Sequence, residues 1–212
     1  MIPHRYTLAL LLASNLLGGC GSAARNGTAF QPLPVPKLRY ETATAQVFVK
    51  DERKGVSRDR IFDTPVFSWP GDGEARALPA SPELHAEMAA LLKRWVPRVG
   101  SDRLYFEVYL HRADAGWAAH WFSEDAWATV ELRVCAIDGT DNGVLLAGRA
   151  WSTADSSSAD VTDSEPAQLF DLAVLSAWGR WVQSDQVISQ VNRALAEKRR
   201  WGRLLHPAVC EH

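Results

Sequence analysis

Leu104-Tyr-Phe-Glu-Val-Tyr-Leu-His111 alternates without a break: Leu104, Phe106, Val108 and Leu110 point one way, and Tyr105, Glu107, Tyr109 and His111 the other. A period of two is the signature of a half-buried strand. Ala128–Ile137 repeats it, with Val130, Leu132 and Val134 opposed to Thr129, Glu131, Arg133 and Cys135. Asp138-Gly139 and Asn142-Gly143 are turn dipeptides, so Val144–Thr153 is expected to return as an antiparallel strand. Working outward, Val47-Phe-Val-Lys50 reads as a first strand, and Asp51–Leu78 as irregular chain with a short strand at Pro65–Trp69. Ser81-Pro82-Glu83 then opens a helix, with the serine hydroxyl as N-cap. Leu84, Met88, Leu91, Leu92 and Trp95 share one face of it, and Pro97 closes it.

Downstream, Asp155–Asp163 is polar and reads as a loop. Ser164-Glu165-Pro166 starts a second helix to about Val182, and Ser184 and Asp185 cap a third that carries Val187, Ile188, Val191 and Leu195. The expected fold is α+β: an antiparallel sheet of about four strands with helices packed on one face, in the order β-α-β-β-β-α-α. Short connections satisfy that order if the helices cover the Leu104/Val130/Leu132 face. No internal repeat is evident.

The 212 residues are 47% hydrophobic and 23% charged, which excludes a disordered chain and calls for a packed core. Lys and Arg number 23 against 25 acids, a net charge of −2, so no excess of positive charge is present to neutralise a nucleic-acid backbone. Nine Trp are the compositional oddity.

The N-terminus carries His4 and Arg5, then the apolar run Thr7–Leu17, long enough for a secretory signal but too short to span a bilayer. It ends in Leu17-Gly18-Gly19-Cys20, which resembles the lipobox of bacterial lipoproteins. The resemblance implies removal of residues 1–19 and acylation of Cys20; the alternative is an ordinary secreted protein. Several acyl chains anchor stably where one does not. Gly21 stands where an inner-membrane retention signal would place Asp, which by the same resemblance implies the outer membrane, with the domain facing the periplasm. Residues 20–40 form the acylated Cys and a tether rich in small residues and in Pro32, Pro34 and Pro36. Gly21–Lys37 reaches roughly 50 Å fully extended. The expected single domain spans 41–200, followed by a tail, 201–212.

The lipobox, the stretch Val47-Phe-Val-Lys-Asp51-Glu-Arg53 running into a charged turn, and a helix, three meandering strands and a helix pair together resemble the YajG-like and ABC-transport auxiliary lipoproteins, the group containing PqiC. The resemblance spans roughly residues 17–198. The Trp-rich segment and Asp51–Leu78 are additions to the compact pattern. It implies a non-catalytic, lipid-anchored envelope protein serving a transport or assembly machine. Its contacts would be the outer-membrane lipid and an envelope protein or lipid.

Two cysteines remain once Cys20 is acylated. In an oxidising periplasm Cys135 and Cys210 are candidates for a disulfide, the alternative being a half-buried Cys135 and a free tail thiol. Closing the roughly 75 residues between them would stabilise by about 4 kcal/mol. Ala113–Trp127 reads as a long loop holding Trp117, Trp121, Phe122 and Trp127. Trp combines a large apolar area with one N–H donor, which suits interface anchoring, lipid headgroup depth or sugar stacking. A satellite core beneath the loop is the other reading. On the sheet face away from the helices, Tyr105, Tyr109, Glu131, Arg133, Arg149 and Trp151 should gather, either as a solvated face or as a docking surface.

His111, Asp114, His120, Glu124 and Asp125 cluster in sequence but lack metal-ligand spacing, and Asp155, Asp160 and Asp163 lack the calcium-loop pattern. No metal or cofactor is expected. No nucleophile elbow, phosphate loop or dinucleotide fingerprint occurs, so no enzymatic activity is expected. Glu107 and Glu131 could be set as a carboxylate pair across neighbouring strands, as a glycosidase needs, but nothing raises them above ordinary strand acids. The readings in order are an envelope accessory protein, a glycan or peptidoglycan binding module using Trp stacking, and a tethered hydrolase.

Overall fold

A computed structural model describes residues 46–67, 75–94, 104–159, 161–162, 164–204 and 208–210. The elements are β1 (Gln46–Asp51), β2 (Val66–Phe67), β3 (Ala75–Arg76), α1 (Leu84–Lys93), β4 (Leu104–Ala119), β5 (Glu124–Asp138), β6 (Gly143–Ser158), α2 (Glu165–Val182) and α3 (Asp185–Trp201). The lipobox, Cys20, the Pro-rich tether, Trp95, Pro97, Trp69, Asp160, Asp163, His206 and His212 lie outside the described residues. No helix among the described residues is long and apolar enough to cross a membrane.

The α+β class and the order of the main elements are as read from the sequence. Four strands form one sheet in the order β1-β4-β5-β6, and β2 and β3 pair as a small separate ribbon. The sheet is mixed rather than antiparallel throughout, because β1 runs parallel to β4, Gln46 opposite Tyr105 and Asp51 opposite Leu110. The connection carrying α1 takes the chain back to the end from which it started, and a crossover of that length makes parallel neighbours.

The segment Ala113–Trp127 is not a loop. β4 continues to Ala119 and β5 begins at Glu124, joined by a turn in which the His120 N–H donates to the Ser123 carbonyl at 2.7 Å. The alternation of β4 is broken by a bulge at His111, where pairing passes from Leu110–Leu132 to Arg112–Glu131. One extra residue exchanges the two faces. Beyond it Ala113, Ala115 and Trp117 stand on the helix side, and Arg112, Asp114 and Gly116 on the open side. Asp155–Ser158 is likewise the end of β6, paired with Glu124–Trp127, rather than a loop. Small residues on the helix side (Ala113, Ala115, Ala126 and Ala128 are all buried) let α2 approach this half of the sheet closely.

Against the other half the core is aromatic. Phe106 meets Trp178 and Trp181 edge-on, at 5.3 and 6.2 Å between ring centroids, and the two indoles stack on each other. The Trp178 indole N–H donates to the Leu92 carbonyl at 3.0 Å, supplying a partner to a carbonyl in the last turn of α1. Ser81 does not cap α1: the helix starts after Glu83, and the Ser81 carbonyl, not its hydroxyl, accepts the Leu84 N–H. Ser164 and Ser184 stand at the N-caps of α2 and α3 without side-chain cap bonds, and Gly202 closes α3 at a φ of 68°.

The candidate functional face

Facing away from the helices, Tyr105, Tyr109, Glu131, Arg133, Arg149 and Trp151 do lie on one surface, but its two ends differ. Toward the base of β4 it is covered. Cys135 and Cys210 form a disulfide, with Cα atoms 6.1 Å apart, and this pins the C-terminal tail over Tyr109 and Ile137. Tyr109 is buried between two cations: the Arg133 guanidinium lies 4.6 Å, and the Lys50 ammonium 5.2 Å, from its ring centroid. Its hydroxyl donates to Glu107, which also accepts from Lys50 at 3.0 Å. Burial, followed by the Glu107 carboxylate, raises the Tyr109 pKa, and the hydrogen bond to Glu107 raises that of Lys50. Arg133 donates to Glu52. Tyr109 and Arg133 are thus both engaged within the chain.

Tyr105 is half-buried; its hydroxyl donates to the Asn142 side-chain oxygen at 3.1 Å and its ring meets Phe48 edge-on at 5.6 Å. These two rings line an open cleft of about 600 Å³ at the β1 edge.

Asp51 and Arg53, the polar residues of the Val-x-Val-x-Asp-x-Arg stretch, form a buried ion pair at 2.7 Å. The Arg53 guanidinium also donates to the carbonyls of Arg60 and Ile61, tying down the charged turn. Burial works to raise the Asp51 pKa, but the hydrogen bonds and charge of Arg53 outweigh it and hold the carboxyl below its ordinary range. This stretch is a structural clip.

The four aromatic residues expected in one loop are split among three environments. Trp117 packs partly buried against the core. Trp121 and Phe122 occupy the tip of the β4–β5 hairpin and are 96% and 93% exposed. Trp127 stands on the open face, where its six-membered ring lies over Gly116: a Cβ there would come within 2.6 Å of Trp127 Cζ2. Trp151 shares that face and is 68% exposed. With Arg112, Asp114, Thr129 and Glu131, the two indoles line a shallow groove of about 550 Å³. The sequence alone carries no mark of Gly116, whose role depends on the register that places it opposite Trp127.

No family model matches the sequence, and no curated protein matches it. Among solved structures, the chain is similar to a Xanthomonas campestris protein of family DUF330, at 18% identity over 74% of this chain and 96% of that one, with a TM-score of 0.45. A Caulobacter crescentus protein proposed to be a lipoprotein is 11% identical over 49% of this chain and 83% of its own, with a TM-score of 0.31. At these values neither likeness bears on function.

The sequence cluster of His and acids does not converge. His120 pairs with Asp125 at 3.0 Å, Glu124 accepts the Val161 N–H at 2.9 Å, and Asp114 is held by Arg112. Among the described residues no three His, Cys, Asp or Glu are grouped to hold a metal. Glu107 lies opposite Cys135 and Glu131 opposite Arg112, so about 13 Å of strand separates the two positions. Glu107 accepts from Lys50 and Tyr109, and Glu131 from Arg149, so the two acids serve separate partners.

Proposed function

We propose that this chain is a lipid-anchored, non-catalytic accessory protein of the bacterial envelope, whose hairpin tip docks onto a protein of a transport or assembly machine. The anchor is Cys20 of Leu17-Gly-Gly-Cys20, and the compartment is the periplasmic side of the outer membrane. A Cys135–Cys210 disulfide suits that oxidising side. The resemblance to the YajG-like and ABC-transport auxiliary lipoproteins supports the same role.

The observation that carries the docking role is the exposure of Trp121 and Phe122. Two adjacent large aromatic rings in open solvent, on a turn closed by a backbone hydrogen bond, make a projecting apolar point. Trp anchors that become buried on binding dominate interface energetics.

A photo-crosslinking amino acid at position 121, in intact cells, tests this. Discrete adducts with one or a few envelope proteins are expected, with loss of membrane fractionation in the Cys20→Ala variant. The absence of any protein adduct from position 121, with position 122 equally silent, would refute the docking role.

A further inference from the structure

We propose that the groove between Trp127 and Trp151 is an oligosaccharide-binding site, distinct from the protein-docking tip. Three features of the groove converge on that ligand class. The first is the Trp127 ring itself. It rests on Gly116, where a side chain would collide with it, and it remains 37% exposed. A flat aromatic surface held against the backbone is what the apolar C–H face of a pyranose ring stacks on.

The second is spacing. Trp151 sits opposite Glu131, four residues along β5 from Trp127, so the two backbone positions are about 13 Å apart along the strand direction. Two platforms set at that spacing along one groove suit a chain of several sugars.

The third is charge. Arg112 is paired with Asp114, and Arg149 with Glu131, so the charged rim is internally neutralised. A phosphorylated ligand or nucleic-acid strand would find no net positive field there. A neutral polyhydroxyl chain would find carboxylate oxygens, guanidinium N–H groups and the Thr129–Thr153 hydroxyl pair, at 2.8 Å, spread between the two platforms.

The envelope placement proposed above makes glycans available. The groove's chemistry is testable without it, since a soluble ligand does not depend on the anchor. The experiment titrates the purified full-length protein with the β-1,4-linked N-acetylglucosamine tetramer, following tryptophan fluorescence and calorimetric heat. Saturable binding is expected, weakened at least 10-fold by Trp127→Ala and by Trp151→Ala, and partly restored by Trp151→Phe. Trp201→Ala, which removes another exposed indole at the end of α3, is the control and should bind as wild type. Thermal unfolding of each variant separates lost binding from lost folding. No saturable signal at millimolar tetramer would overturn the proposal, as would wild-type affinity in the Trp127→Ala and Trp151→Ala variants. Protein adducts from a crosslinker at position 151, without tetramer binding, would make the groove a protein contact instead.

Discussion

Gly116 and Trp127 form one unit, since the glycine has no role the ring does not explain. A glycine inside a strand ordinarily weakens it, and a cross-strand aromatic covering the gap recovers the loss. Gly116→Ala should therefore destabilise by about 1–3 kcal/mol, because the new methyl would come within 2.6 Å of the Trp127 ring and must displace it rather than the far end of a flexible chain. In a Trp127→Ala background the same substitution should be neutral or stabilising by about 0.5–1 kcal/mol, as alanine normally is over glycine. Urea unfolding of the four proteins closes this cycle, and additive effects would mean that the ring does not rest on the glycine. Lys198 is a second unit. It donates to Asp138 at 2.6 Å and to Asp141 at 2.5 Å, fastening α3 to the β5–β6 turn. Burial tends to raise the Asp138 pKa, but Lys198 and the Thr140 backbone and hydroxyl donors prevail and lower it. A depressed carboxyl contributes stability above its unfolded pKa, near 4, and loses it as pH falls through the folded value. Lys198→Met should cost about 2 kcal/mol near neutral pH. It should also shallow the loss of stability below pH 4, measured by denaturant midpoints across that range. Asp51, held down by Arg53, leaves a residual slope in the variant.

Elements were legible from sequence where one face was consistently large and apolar. Leu104–Leu110 and Val130–Val134 carry such faces, and so do Leu84, Met88 and Leu92 on α1, all of them buried in the fold. The outer half of the β4–β5 hairpin was not, for two physical reasons. The bulge at His111 reverses the alternation in mid-strand, and the buried positions beyond it are alanines, whose pattern is too weak to read as a core face. The tip aromatics were visible as residues, but not that they cap strands; the groove needed both the bulge and the β5–β6 register to assemble. The parallel pairing of β1 was equally hidden, because a six-residue strand carries no mark of direction. The disulfide is the element-scale device with the largest expected effect. It closes 75 residues and holds the tail across the open face. In the chain-entropy account this is worth about 4 kcal/mol, so Cys210→Ser should lower the melting temperature by about 10 °C and expose Tyr109. Calorimetry under non-reducing conditions measures the shift. An unchanged melting temperature would mean that the tail contributes nothing to the fold.

Across the whole molecule, the start of the described chain and the aromatic tip lie at opposite ends. Gln46 pairs with Tyr105 at the base of β4, and Trp121 follows that strand's far end, so about 50 Å of sheet separates them. An acyl anchor at Cys20 would join the described fold at its base, the end farthest from the tip. The Pro-rich stretch Gly21–Lys37, roughly 50 Å when extended, would double that reach. Tether length, tip position and partner location are then coupled: the tip meets only partners lying within the combined span. Deleting residues 22–36 should leave membrane fractionation and thermal stability as in wild type, since none of the described core residues is removed. It should abolish the adducts formed from position 121, because a partner beyond the shortened reach cannot be met. Adducts that persist unchanged in the deletion would place the partner beside the anchoring membrane, with the tip folded back toward it. The length of the hairpin would then serve some purpose other than reach.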